Sequence, residues 1–185
     1  MRPVIAPGAQ TGYSGLQTMK RFHAPWGKPL WIVSIGVTAL LIWVSGILSA
    51  SSKATPGGGL HGRPLSVLPL ILIVGAAPFI VRGYTITPDA ILVQRLFWDT
   101  RVPLAGLQSA QFDPGALRWS IRTFGNGGLY SFTGWYWNRQ IGAYRAFATD
   151  TKRAVVLKFT RRTIVLTPDS PEDFVRELSA YTARS

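Results

Sequence analysis

No charged residue occurs between Leu30 and Ala50 (LWIVSIGVTALLIWVSGILSA), a run of 21 residues. A helix rises about 1.5 Å per residue, so a run of this length covers a hydrocarbon layer of about 30 Å. A second uncharged run, Leu65 to Val81 (LSVLPLILIVGAAPFIV), holds 17 residues, the low end of the spanning range. Between them Ser51 to Pro64 is rich in Gly, Ser and Pro and too polar to stay in lipid. The pattern predicts a membrane α-helical hairpin of two transmembrane helices over residues 29–81. An extended N-terminal arm (1–28) precedes it and a soluble domain (82–185) follows. A cleaved secretory leader fits less well, because a long basic segment precedes the apolar run and the run exceeds the usual core of about 7–15 residues.

Charge sets the expected orientation. The chain carries a net +12, and all eight acids lie after residue 88. Arg2, Lys20, Arg21 and Lys28 precede the first run, and Arg82 and Arg95 follow the second. The link holds only Lys53 and Arg63. Basic residues stay preferentially on the cytoplasmic side, so both termini are expected there. Trp26 and Trp31 flank the first run and Arg82 closes the second; these three are the expected membrane-interface anchors. The arm has little periodicity and no helical pattern, and such termini are ordered only when tied down. It is therefore expected to lie against a partner.

From Arg82 onward the period changes to that of strands. Tyr84–Thr87 and Ile91–Phe97 form a hairpin around Pro88 and Asp89. Arg101–Leu104 and Leu107–Phe112 are shorter candidates, with Pro103 marking an edge or a bend. Trp119–Phe124, Leu129–Trp137 and Tyr144–Thr149 make a middle set. Ala154–Thr160 alternates strictly and turns at Arg161-Arg162 into Thr163–Thr167. Ser170-Pro171-Glu172-Asp173 then reads as a helix start, with Phe174, Leu178 and Tyr181 on one apolar face and Val175 broadening it. About seven strands and one C-terminal helix predict a mainly-β barrel of pleckstrin-homology (PH)-like order, with the helix plugging an open end.

The run Arg122-Thr-Phe-Gly-Asn-Gly-Gly-Leu-Tyr-Ser-Phe-Thr-Gly134 resembles the signature of the bacterial PH-domain membrane proteins. The opening Tyr84-Thr-Ile-Thr-Pro-Asp89 and the closing Thr167-Pro-Asp-Ser-Pro-Glu-Asp-Phe174 are similar to the same family, so the likeness covers residues 82–181. It implies a fold, a membrane hairpin ahead of a PH-like domain, and a bacterial inner membrane. It implies no catalytic residues.

The chemistry to be expected is sparse. With no cysteine, disulfides and thiolate metal sites are excluded. His23 precedes the first apolar run and His61 lies in the link, so the hairpin places them on opposite sides of a membrane. There is no Gly-x-Ser-x-Gly elbow. Neither apolar run contains a His or an acid that would ligate a pigment or relay a proton. No metal or cofactor site and no enzyme activity are expected. Gly125-Asn-Gly-Gly128 lacks the Lys-Ser/Thr of a phosphate loop and reads as a tight turn. Arg122, Arg139, Arg145, Lys152 and Arg153 make the domain basic, and Trp135 and Trp137 share one strand face. These seven are the candidate partner or lipid contacts. Nucleic acid is not expected, since no binding motif is present and a membrane accounts for the bases. The function read from the sequence is a non-enzymatic accessory or scaffold subunit of a larger membrane complex, photosynthetic or respiratory, contacting other integral membrane subunits and the bilayer. The alternative is a membrane-tethered adaptor that binds anionic lipid headgroups through the PH-like domain.

Overall fold

In a computed structural model the described residues are 19–54, 62–127 and 129–182. Most of the predicted arm (1–18), the middle of the link with His61, and Gly128 lie outside them. The chain starts with β1 (Lys20–His23), then two helices, α1 (Lys28–Ala54) and α2 (Gly62–Ala76), and a single 3-10 turn at Ala77–Phe79. Nine strands follow: β2 (Gly83–Ile86), β3 (Ala90–Gln94), β4 (Asp99–Pro103), β5 (Leu107–Phe112), β6 (Ile121–Gly127), β7 (Phe132–Asn138), β8 (Gly142–Ala148), β9 (Val155–Phe159) and β10 (Thr163–Leu166). Helix α3 (Pro171–Thr182) ends the fold.

Helix α1 is long and apolar enough to cross a membrane: Lys28–Ser51 spans 24 residues, about 36 Å at the helical rise. Ile32, Ile35, Leu40, Ile42, Trp43 and Ile47 are all exposed along it. Leaving side chains of this size in water forgoes about 1.5–3 kcal/mol each. The second apolar run departs from the expectation. Its apolar helix covers only Ser66–Phe79, about 21 Å, so a second transmembrane helix is not shown. Pro78 has no N–H to give, and the α pattern stops just before it. Val81, expected as the end of a span, is instead fully buried in the domain core. The two helices run antiparallel, and the Ser45 hydroxyl donates to the Ser66 carbonyl at 2.5 Å. Gly36, Gly46 and Gly75 do not serve helix contact, since a Cβ on any of them meets nothing within 4 Å.

The predicted strands and C-terminal helix form, with ten strands among the described residues rather than about seven. Four make an antiparallel sheet in the order β1-β2-β3-β4, with Pro103 on its edge strand. Six make the second sheet, β5-β9-β10-β8-β7-β6, antiparallel except where β10 runs parallel to β8. The main core lies between the sheets. Phe22, Tyr84, Ile91 and Val93 face Phe147, Leu157 and Leu166, and Phe174 and Leu178 of α3 close the end. Phe174 stands edge-on to Phe22 at 4.9 Å and to Tyr84 at 6.1 Å. The Ser170 carbonyl accepts the Phe174 N–H, as an N-cap position requires. The Tyr181 side chain lies outside the described residues.

Strand β1 is the main surprise, because the predicted domain began at residue 82. Phe22 pairs with Tyr84 and His23 with Gly83 across the whole helical hairpin. The described end of the arm thus lies against its own domain. One aromatic drives this: Phe22 is 5 % exposed and fills the space over Phe174. Phe22→Ala is expected to cost about 3–5 kcal/mol of stability, read by chemical denaturation of the full chain in detergent. An unchanged midpoint would mean that β1 adds nothing.

Tyr84 ties the two sheets together. Its hydroxyl donates to the Phe147 carbonyl at 2.6 Å and accepts the Thr167 N–H at 3.2 Å. Burial pushes its pKa from 10.0 up to about 12. The folded state therefore holds this proton more tightly than the unfolded one. That contribution is complete below about pH 10 and is lost as the pH rises through about 12. Tyr84→Phe should lower stability at neutral pH by about 1–3 kcal/mol, because two backbone groups lose their partner. It should also soften the alkaline loss between pH 10 and pH 12 measured by thermal melting. Equal alkaline slopes in both proteins would assign that loss to other tyrosines.

Candidate functional site

The helices join the domain through a rigid joint rather than a loose tether. On the way in, Ala24 N–H donates to the Arg82 carbonyl at 3.2 Å and Gly27 N–H to the Thr149 carbonyl at 3.0 Å. The Thr149 hydroxyl donates to the Pro25 carbonyl at 2.8 Å. Gly27 passes so close to Asp150 that a Cβ would stand 2.8 Å from its carboxylate oxygen. On the way out, Arg82 N–H donates to the Gln94 carbonyl at 2.8 Å, and the Ser131 hydroxyl to the Phe79 carbonyl at 2.9 Å. Entry and exit strands thus lie side by side.

A second contact lies further along α1. The loop between β6 and β7 leans on its first turns. Tyr130 N–H donates to the Ser34 hydroxyl at 3.0 Å, and the Tyr130 hydroxyl lies 3.0 Å from that of Thr38. The Tyr130 ring packs near Trp26, which in turn sits 5.4 Å from Trp31. Tyr130 takes a φ of 65°, a left-handed value that costs a non-glycine residue about 1–3 kcal/mol. The docking contacts hold it there.

The glycine run is not the tight turn that its composition suggests. Gly125 lies within β6 opposite Gly134 of β7, with φ values of 112° and 147°. A Cβ on Gly125 would meet the Thr133 carbonyl oxygen at 2.5 Å, and one on Gly134 the Phe124 oxygen at 2.2 Å. Two strands cross here at backbone distance beside a bulge between Arg122 and Phe124. The bulge puts Phe124 on the same side as Ile121, Trp135 and Trp137; this face continues the core face of Phe147 and Ile164, and on β6 and β7 it is uncovered. Phe124 is 76 % exposed, and Ile121, Trp135 and Trp137 are exposed beside it. β6 is the edge strand of its sheet.

Between that face and the helices lies a trough of about 880 Å³. Val37 and Leu41 of α1, Ile71, Leu72 and Gly75 of α2, and Phe124 and Trp135 of the sheet line it, together with Arg95 and Arg145. By its place in the sequence Arg95 bears only on orientation. In the structure it is 7 % exposed and sits 5.4–5.9 Å from the Phe79, Trp98 and Phe147 rings. Burial, and then Arg145, hold its pKa below the ordinary guanidinium value. The one signal available was its place just before Leu96-Phe97-Trp98, a basic residue beside two aromatics.

The other predicted contacts are scattered. Arg145 stands on that same face beside Trp135, 5.9 Å from its ring, and next to the core residue Phe147. Arg122 points toward the opposite face, where it donates to the Gly125 carbonyl at 3.2 Å. Its neighbours there, Tyr136, Tyr144 and Ser120, line a smaller cavity of about 380 Å³. Burial pushes the Tyr136 pKa up to about 12. Arg139 lies in the β7–β8 turn, at the far end from the helices. Lys152 and Arg153 lie in the β8–β9 turn, and Arg153 is paired with Asp150 at 3.4 Å. Trp31 and Arg82 are exposed at the joint, and Trp26 is half-buried. No group of three or more His, Cys, Asp or Glu is arranged to hold a metal among the described residues.

The docked loop makes a direct prediction. Tyr130→Ala should free the β6–β7 loop from α1 and raise its rate of limited proteolysis about tenfold, as loss of about 1–2 kcal/mol of local contacts implies. Tyr130→Phe, which loses only the Thr38 partner, should fall between. Identical cleavage in all three would show that the loop is held by something else.

Comparison with curated proteins and with solved structures gives no match. The bacterial PH domain family matches residues 82–181, the part that holds β2 to β10 and nearly all of α3. With more than half of its length matched, and with two sheets closed by a C-terminal helix, the chain belongs to the bacterial PH-domain family.

Proposed function

We propose that this chain is a non-enzymatic, membrane-anchored accessory subunit that scaffolds a larger bacterial membrane complex. The observation that carries the reading is the uncovered aromatic face of β6 and β7, ending at an unpaired sheet edge and held against an apolar helix. Apolar patches of this kind mark interaction sites on soluble and membrane-facing surfaces. A free edge strand offers backbone hydrogen bonds to a partner as well. The rigid joint supports the same reading, because a scaffold needs a fixed angle between anchor and module.

The proposed seat is the inner membrane, with both termini cytoplasmic. The basic flanks support this orientation, and so does the return of α2 to the point where α1 leaves. Energy-transducing complexes, photosynthetic or respiratory, are the class to search first, since small extra subunits are frequent there. The adaptor reading as drawn from the sequence has less support: Arg139 lies at one end of the sheet, Lys152 and Arg153 at the other, and Arg122 and Arg145 on opposite faces, so these five do not converge on one headgroup.

The reading is tested by extraction of the full chain in mild detergent and identification of what travels with it. Wild type should bring a fixed set of integral membrane subunits. Ile121→Ser with Trp137→Ser, both exposed and outside the core, should lose that set at least tenfold while keeping the same melting temperature. A wild type that travels alone, or a double variant with unchanged companions, would overturn it.

A further inference from the structure

The trough between the helices and the sheet has its charge at one end only. Arg95 lies beside Phe79, where the helical hairpin meets the domain. Ile71 and Leu41 line the trough about two helical turns further out, on surfaces continuous with the exposed helix faces. Arg95 and Arg145 both approach the Phe147 ring, with their guanidinium carbons 5.4 Å and 4.9 Å from its centroid. Two like charges thus converge on one ring. Among the described residues neither is paired with a carboxylate; the acids Asp89, Asp150, Asp173 and Glu177 pair with other bases. Arg95 spends its Nε on Thr100 at 3.0 Å and one Nη on the Phe79 carbonyl at 3.4 Å. Arg145 keeps its whole guanidinium edge available beside the trough.

A buried cation without an anion is unfavourable, and a second cation beside it makes it more so. An anion between them relieves both. The rest of the trough is hydrocarbon in character and would exclude a nucleotide or a free sugar. The occupant must therefore carry a compact negative group at one end and an apolar body at the other. Two guanidinium groups on different strands, β8 and the turn after β3, fit an anion whose acceptor oxygens point in different directions, as those of a phosphate do. A volume of about 880 Å³ lies within the usual range for ligand sites. It takes a headgroup and the start of the chains, with the remainder continuing along the exposed helices.

We propose that this trough binds one anionic phospholipid, its phosphate held between Arg95 and Arg145 and its acyl chains lying along α1 and α2. The site shares Phe124 and Trp135 with the aromatic face assigned to a protein partner, but neither its arginines nor its helix wall belongs to that face, and it stands whether or not that assignment holds. The lipid would act as a structural wedge, filling the space between module and anchor. It would also explain why Gly75 has no side chain, since a Cβ there meets nothing and would project into open space on the trough wall.

Gly75→Leu is the decisive variant. It adds bulk to the trough, its Cβ meets no atom within 4 Å, and it favours the helix. Arg145→Gln removes one phosphate ligand from an exposed position, and the only core contact it loses is that of the guanidinium with the Phe147 ring. Full-length protein is reconstituted into nanodiscs of phosphatidylcholine with a minor fraction of phosphatidylglycerol, released, and weighed by native mass spectrometry. One phosphatidylglycerol should remain on the wild type. Arg145→Gln should lower its retention about tenfold, and Gly75→Leu should abolish it, with circular dichroism and flotation on vesicles unchanged in both. Equal retention in all three proteins would overturn the site, as would retention of phosphatidylcholine in equal amount. Protection of the wild type against heat by inorganic phosphate alone, in discs without phosphatidylglycerol, would reassign the pair of arginines to a simple anion site and overturn the lipid.

Discussion

Everything in this molecule depends on a pairing made across the helical hairpin. β1 precedes α1 and β2 follows α2, yet Phe22 and Tyr84 lie opposite each other in one antiparallel ladder. That pairing brings the start and the end of the hairpin to one spot on the domain. It also places Phe22 over Phe174, so that a residue from before the helical hairpin completes the core of the module after it. The energetic logic is mutual. A four-residue edge strand has little stability of its own, and burial of one aromatic side chain on a preformed core supplies it.

The joint makes the PH-like domain and the helices a single mechanical unit. Backbone bonds at Ala24, Gly27 and Arg82 hold the base, and Tyr130 holds the β6–β7 loop against α1 some two turns further out. Two fixed points set an angle. The result is that the uncovered part of the sheet's core-side face and the sides of the helices enclose a trough with arginines at its base and apolar walls above. Neither surface would form a site alone.

Much of this was legible in the sequence, and the failures have physical causes. The alternation in Ala154–Thr160 and the start signal at Ser170-Pro171 led to β9 and α3 because period and capping are local properties. The helix over Lys28–Ser51, long and apolar enough to cross a membrane, followed from length and lack of charge. The second run misled because apolar composition cannot separate a residue facing lipid from one facing a core; Val81 is the latter. The run around Gly125 misled because glycine serves both a turn and a close strand crossing, and only the partner strand decides between them. Strand β1 was invisible because Lys-Arg-Phe-His is too short and too charged to read as strand, and its partner lies 60 residues on. Arg95 was counted as one base among many because burial is not a property of composition.

The amino-acid order by itself determined the kind of chain this is: one long uncharged helix, a strand-rich segment from residue 82, an amphipathic closing helix and a basic excess. Those follow from interactions among residues a few positions apart and from the solubility of each segment. The tertiary structure alone decided which base is buried, which aromatics stay uncovered, and that the segment before the helical hairpin belongs to the module behind it. Such outcomes depend on pairings between distant strands, where a position's surroundings come from parts of the chain that no local pattern connects.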